Sequence, residues 1–239
     1  MFSIGHFIWL GALAVLIAAG CIVAKKCRIS HLAVHRAVAI LLVFLKLFHM
    51  SLSMKESEYG GMILDQTQLS FHLCSIMIYT VIITCLIKNE KTVKMLKSFM
   101  VPCLFIGAAM ALLIPTEGVD PLHPRVWQYM LIHGALVFYG IYLAAIEKVD
   151  LSFKAYFNNL KLLLVVMLGA FLMNSVLEAY ETNFLFLREP PMEGLPLLNL
   201  DNGWYVYFVT LVAVACILML AVQLPFMLAS KKAKRAEER

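Results

Sequence analysis

The sequence predicts an all-α, polytopic membrane protein with seven transmembrane helices, and three observations lead to that prediction. Of the 239 residues, 62% are hydrophobic and only 15% are charged. Soluble domains carry charges on roughly a quarter of their residues, so this composition excludes a soluble globular protein. Apolar stretches of about 20 residues, the length that a bilayer requires, recur along the whole chain. Lys and Arg are concentrated in alternate connections between these stretches.

The apolar segments follow one another with short connections and no internal repeat, so we expect a single transmembrane domain over residues 1–239. The predicted spans are residues 4–24, 34–53, 69–87, 96–115, 126–146, 160–180 and 204–229. The longest connection, 181–203, contains a Pro pair that prevents a regular helix, yet it is rich in Phe and Leu. We expect this outer loop to lie on the outer interface or over the mouth of the bundle.

The distribution of positive charge predicts the orientation. The first span is followed by Lys25 and Lys26 and preceded by no basic residue, which is the reverse of a cleavable signal peptide. In a seven-span chain, 16 of the 20 Lys and Arg residues lie on one side, including those of the tail 230–239. The positive-inside rule therefore predicts an outer N-terminus and a cytoplasmic C-terminus. We expect the protein to lie in the plasma membrane. The basic tail is typical of a topology anchor on anionic lipid and not of a nucleic-acid partner.

Polar side chains inside the spans are candidates for function because each is costly in hydrocarbon. In the predicted orientation they gather in the outer third of the bundle. The inner two-thirds are predicted to be almost purely apolar, apart from small hydroxyls and Gln223. One polar cavity facing the outer leaflet is the simplest explanation. The candidate residues are Lys46, His49, Gln68, His72, Cys74, His133, Asn174 and Glu178.

Helical spacing relates several of these residues to one another. Lys46 and His49 are three residues apart, and Asn174 and Glu178 are four apart, so each pair shares a helix face. In a helical third span, Cys74 would lie about 120° from the polar stripe that contains Gln68 and His72. Either this helix is buried on two sides or one of His72 and Cys74 is peripheral. At the start of the last span, Tyr205 is a candidate interfacial anchor and a supporting residue of the site.

The chemistry that this set supports best is acyl transfer through a thiol. An imidazole can take the proton of a thiol, and the thiolate can then attack an acyl carbonyl to form a thioester. Cys74 and His133 are the candidate nucleophile and base. No HExxH, CxxC or glycine-rich phosphate motif occurs, although His49, His72 and His133 with Glu178 could in principle hold a metal. We therefore expect no metal and no cofactor.

The residues around these positions resemble a known family. The segments LSFHLCSIMIYT (69–80), LIHGALVFYGIY (131–142), NSVLEAYETNFLFLREPP (174–191) and GWYVYF through LPF (203–226) are similar to the YwaF family of bacterial seven-span proteins. That family is related to a eukaryotic transmembrane acyltransferase that moves fatty acyl groups between glycerophospholipids. The resemblance implies a seven-helix fold, a nucleophilic Cys74 and a basic His133.

The sequence thus predicts a lipid acyltransferase that takes an acyl chain from a membrane glycerophospholipid and passes it to a lysolipid or another amphiphilic acceptor. Lys46 or His72 would bind a phosphate or polarise a carbonyl. Two alternatives stay open. A lipid-binding or sensory bundle would keep the cavity without using the thiol. A proton-coupled transporter would use Lys46, a histidine and Glu178 as a relay.

Overall fold

The computed structural model describes residues 3–56, 61–66, 69, 71–114, 122–192, 194–195 and 197–237, the last eight of these without their side chains. The chain divides into two compact units. Unit 1 comprises Met1–Leu64 and Cys74–Asp150, and unit 2 comprises Asp65–Leu73 and Leu151–Arg239.

Unit 1 is built from helices and one short hairpin. The helices are α1 (Ile4–Lys26), α2 (His31–Leu52), α3 (Leu73–Leu86), α4 (Glu90–Leu113) and α5 (Pro124–Glu147). The hairpin pairs β1 (Met54–Glu56) with β2 (Met62–Leu64) in antiparallel fashion. A π-helical turn interrupts α4 at Phe105–Ala109, and another ends α5 at Tyr142–Glu147.

The helix starts are determined by side chains that cap the first turn. Ser30 accepts a hydrogen bond from the Ala33 amide, and Asn89 accepts one from the Thr92 amide. Such caps satisfy amides that have no partner within the helix. As a result, α4 begins at Glu90, six residues before the predicted span. Hydropathy detects only the apolar part of a helix, so the polar first turns were missed.

Helix α5 is the centre of unit 1 because it packs against α1, α2 and α4. Glycines permit two of these contacts. A Cβ at Gly134 would lie 2.6 Å from Leu13 Cδ2 on α1, and one at Gly140 would lie 3.2 Å from Leu104 Cβ on α4. Leu136, between them in sequence, is fully buried. The close approach of α5 to α1 and α4 therefore depends on glycine, which has no Cβ, at these two positions.

Unit 2 consists of two long helices and the segment that connects them. Helix α6 is Phe153–Val176 and helix α7 is Trp204–Glu237. Two polar contacts join them: Tyr156 Oη donates to the Cys216 carbonyl (3.2 Å), and Asn159 Nδ2 donates to Gln223 Oε1 (3.3 Å). The connection contains 3₁₀ turns at Glu178–Tyr180 and Phe184–Phe186.

The prediction of a helical membrane fold is confirmed, and two of the predicted spans are revised. Six helices among the described residues are long and apolar enough to cross a membrane. Helix α3, in the predicted third span, has only 14 residues, or about 21 Å at 1.5 Å per residue. The predicted sixth span, 160–180, is wrong at both ends because Ser152 caps α6 and the helix stops at Val176.

The contact at Gly140 yields a test of the packing. Gly140→Leu should destabilise the protein by about 1–3 kcal/mol, since the new side chain overpacks the approach of α5 to Leu104. The control is Gly169→Leu, at an exposed position of α6 where a Cβ meets nothing within 4 Å. There, replacing glycine should be neutral or stabilising. Thermal unfolding in detergent measures both, and equal melting temperatures would contradict the packing.

Candidate functional site

The candidate nucleophile lies at the start of a helix. Cys74 is the second residue of α3, and its side chain is half-buried. The amides of a first helical turn have no partner within the helix, and the helix dipole there favours negative charge. Amides at such a position can bind the oxyanion of a reacting ester. The nucleophilic role of Cys74 stays a prediction.

Lys46 joins the end of α2 to the start of α3. Its side chain is buried, with 6% of its surface exposed. Lys46 Nζ donates to Ser75 Oγ at 3.4 Å and lies 3.5 Å from His49 Nδ1. Lys46 and His49 thus share the face that the sequence predicted. Ser75 follows Cys74 directly in the first turn of α3, so Lys46 lies beside that turn.

The candidate base is held in one tautomer. His133 Nδ1 lies 2.7 Å from the Tyr129 carbonyl oxygen one turn earlier in α5, so this nitrogen carries the proton and donates it. The Tyr129 ring packs on the imidazole, with 4.3 Å between centroids, and Tyr129 Oη donates to the Ala111 carbonyl of α4. Nε2 is therefore the nitrogen with a lone pair that can accept a proton.

Hydrogen bonds among His35, Thr84 and Tyr139 place these residues of α2, α3 and α5 at the same level in unit 1. The positions of Cys74 and His133 along their helices can be measured from that level. His35 of α2 bonds to Tyr139 Oη of α5 through Nδ1 and to Thr84 Oγ1 of α3 through Nε2 (2.9 Å). At 1.5 Å per residue, His133 is about 9 Å from this level and Cys74 is about 15 Å from it. Both lie toward the end of unit 1 where α2 stops and α3 and α5 begin, which we call the Cys74 end.

Within the described residues no hydrogen bond joins Cys74 to His133. The two residues differ by about 6 Å in depth along the helix axes. Catalytic hydrogen bonds commonly tighten only when substrate is bound, so their pairing stays a prediction.

The opposite end of unit 1 corrects the expectation of an apolar inner region. His35 is 2% exposed and was overlooked as a polar residue within the predicted second span. Lys97 of α4 forms a 2.6 Å ion pair with Glu147, the last residue of α5, and both side chains are largely buried. Because α2 and α5 pack antiparallel, His31 and His35 of α2 each meet a tyrosine of α5. We call this set the paired network; its members are His31, His35, Thr84, Lys97, Tyr139, Tyr142 and Glu147.

In unit 2, one predicted site residue holds the irregular segment that follows α6. Asn174 is buried and makes two hydrogen bonds with the backbone of Phe184, one through Oδ1 (2.8 Å) and one through Nδ2 (3.1 Å). Trp204 Nε1 donates to the Leu187 carbonyl (2.9 Å), and Tyr207 Oη donates to the Phe186 carbonyl. These three side chains replace the hydrogen bonds that a regular helix would provide.

His72 belongs to the same unit. Its ring lies against Phe184 and Phe186, with centroid distances of 5.5 and 5.8 Å. The predicted polar stripe through Gln68 and His72 assumed that both residues are helical. That assumption is wrong for His72, since α3 begins only at Leu73. Gln68 itself lies outside the described residues.

A pocket of about 150 Å³ opens in unit 2. Its polar wall is completed by Glu178, whose carboxylate lies 3.4 Å from Arg188 Nη2 and whose side chain is 74% exposed. Glu178 lies beyond the end of α6, in the 3₁₀ turn, so it does not share a face of α6 with Asn174, but it still lines the pocket together with Asn174. The lining residues are Phe171, Asn174, Ser175, Glu178, Leu187, Arg188 and Trp204.

Two tyrosines at the start of α7 differ in burial. Tyr205 is 81% exposed and contacts Trp204 edge to face, whereas Tyr207 is fully buried. Trp204 and Tyr207 are three residues apart, so they share the face of α7 that reaches the Phe184–Phe186 turn. That spacing could have identified them from the sequence. As for metals, no cluster of three His, Cys, Asp or Glu occurs among the described residues.

The sequence of residues 1–223 matches the TMEM164 family. The chain belongs to the TMEM164 family. A match over nearly the whole chain, together with six apolar helices of spanning length, makes this TMEM164 family member a multi-pass membrane protein. No curated protein and no solved structure matches it.

The anchor at Asn174 can be tested directly. Asn174→Ala leaves the amide and carbonyl of Phe184 without partners, at a cost of about 1–3 kcal/mol for each buried group. We expect faster hydrogen exchange of the amides at 184–188 in this variant. The control is Ser175→Ala, which removes only a hydrogen bond within α6 to the Phe171 carbonyl. Unchanged exchange in Asn174→Ala would contradict the anchoring role.

Proposed function

We propose that this TMEM164 family member is a membrane-embedded lipid acyltransferase that uses Cys74 as nucleophile and His133 as general base. The observation that carries the proposal is the His133 tautomer: Nδ1 donates to the Tyr129 carbonyl, so Nε2 has the free lone pair, and His133 lies toward the end of unit 1 where α3 begins and Cys74 is located. The donor is a glycerophospholipid, and the acceptor is a lysolipid or another amphiphile with a hydroxyl group.

The protons in this mechanism balance, because the lysolipid leaves with the proton of the thiol and the acceptor hydroxyl supplies the proton that restores it. His133 Nε2 takes the proton of the Cys74 thiol, and the thiolate attacks the ester carbonyl of the donor. When the tetrahedral intermediate collapses, the leaving lysolipid oxygen receives that proton and the acyl chain stays on Cys74 as a thioester. The hydroxyl of the acceptor then attacks the thioester while His133 takes its proton. The released thiolate recovers a proton from the imidazolium, so the cycle needs no cofactor.

The membrane arrangement that suits this chemistry has seven crossings, with the N-terminus outside and the C-terminus in the cytoplasm. In that arrangement the Cys74 end faces the outer leaflet of the plasma membrane, where ester bonds lie just below the headgroups. His49 and His72 support the substrate, and Asn174 and Glu178 shape the pocket of unit 2. Gln68 joins this set by its proximity in sequence. We assign the exposed Tyr205 to the membrane interface.

Transfer of labelled acyl chains in proteoliposomes tests the proposal. Cys74→Ala and His133→Ala should each lower the rate by at least about a hundredfold, since nucleophile and base act as a unit. Intact-mass measurement of wild-type protein should show an acyl increment that hydroxylamine removes. Cys27→Ala, which changes the exposed thiol that follows α1, should keep the activity. Full transfer by Cys74→Ala would exclude this mechanism.

A second candidate, proton-coupled transport, is favoured by the paired network. A transporter needs polar groups toward both membrane faces, and unit 1 has them at both ends. Proton flux into liposomes under a pH gradient tests this function. In a transporter, Glu147→Gln should abolish the flux, and Glu90→Gln should not, because Glu90 is exposed and pairs only with Lys94. Absence of flux in the wild type would exclude this candidate.

A further inference from the structure

Lys46 is a buried cation whose partners carry no negative charge. Its contacts are the hydroxyl of Ser75 and the imidazole of His49, at the long distances of 3.4 and 3.5 Å. No carboxylate among the described residues lies within ion-pair distance of its ammonium group. The other buried lysine of unit 1, Lys97, has a carboxylate 2.6 Å away. The same unit therefore neutralises one buried ammonium group and leaves the other without a counter-charge.

This difference has an energetic meaning. A buried charge costs several kcal/mol unless an opposite charge compensates it. In a membrane there is no water to supply the missing solvation, and intramembrane lysines pair with other groups. An anion brought by a ligand would remove the cost at Lys46. Among the described residues no group of the protein provides that anion.

The groups around the ammonium define what kind of anion fits. Ser75 Oγ provides a hydroxyl, and the first turn of α3 provides amides that have no partner within the helix. An ammonium group that lies beside a hydroxyl and helix amides forms a set of donors. Such a set suits an oxyanion with several acceptor oxygens. Lys46 lies six residues before the end of α2, about 9 Å along the helix axis. That depth matches lipid headgroups better than the bilayer centre.

We propose that Lys46, Ser75 and the first turn of α3 bind the phosphate group of a glycerophospholipid. The lipid identity of the ligand rests on the proposed function, because a phosphate held beside Ser75 brings the ester-bearing glycerol to the neighbouring Cys74. The charge of the ligand does not depend on that function. Inorganic phosphate or the carboxylate of a fatty acid would present a similar oxyanion without the glycerol.

Binding of a lipid that cannot react separates this site from the acyl transfer. The probe is a dialkyl ether glycerophospholipid, which has the phosphate but no ester, and the reference is the dialkylglycerol with the same chains. Native mass spectrometry of the full chain in detergent measures the retention of each. Wild type and Cys74→Ala should both retain the phospholipid at least about tenfold better than the dialkylglycerol, the preference expected of one charge-assisted contact.

Lys46→Met should lose this preference, and Lys46→Arg should keep most of it. Lys94→Met is the matched control, since it removes one exposed positive charge from the same unit. Lys46→Met should also melt at a higher temperature than wild type in lipid-free detergent, because the uncompensated charge is gone. Ser75→Ala should weaken the preference without abolishing it.

Three results would overturn the site: equal retention of both lipids by wild type, an unchanged preference in Lys46→Met, or full competition by millimolar inorganic phosphate or palmitate. The first result can be read without any variant, so it does not depend on whether Lys46→Met folds. A preserved binding preference with no acyl transfer would support the phosphate site while excluding the proposed function.

Discussion

Hydrocarbon provides no hydrogen-bond partner, so polar groups in the helices of this protein depend on one another. His35 satisfies both ring nitrogens with Tyr139 and Thr84, and Lys97 meets Glu147. Each of these contacts joins two different helices of unit 1. A slip of one helix by a single turn, about 5.4 Å, would break them together, which means that the paired network fixes the register of the helices as well as their proximity.

The same constraint explains how unit 2 tolerates an irregular backbone. Leu185 and Phe186 both have positive φ values of 56°, which side chains other than glycine rarely adopt. Asn174, Trp204 and Tyr207 bind the backbone groups of this turn, and Phe184 is fully buried. The surrounding contacts therefore hold a strained turn in place. Arg188 follows this turn and lines the pocket, where it pairs with Glu178.

Sequence patterns predicted the helical membrane fold because hydropathy over about 20 residues is a local property. They did not predict where α3 begins, since Leu69 and Phe71 are as apolar as the helix that follows. The paired network was also missed. Its contacts join residues far apart in sequence, such as His35 and Tyr139, and no local spacing reveals them. For the site, the sequence identified Lys46, Cys74 and His133 as costly residues, and the structure adds that Tyr207 is buried while Tyr205 is exposed.

The two ends of unit 1 differ in how their polar groups are used. In the paired network, both ring nitrogens of His35 have partners and Lys97 meets an opposite charge. At the Cys74 end, Lys46 has no carboxylate partner among the described residues, His133 keeps Nε2 for a proton and the first turn of α3 offers amides. A bundle held in register at one end can keep such groups in position at the other without their binding each other. The groups at the Cys74 end are therefore the ones that the proposed acyl transfer would use.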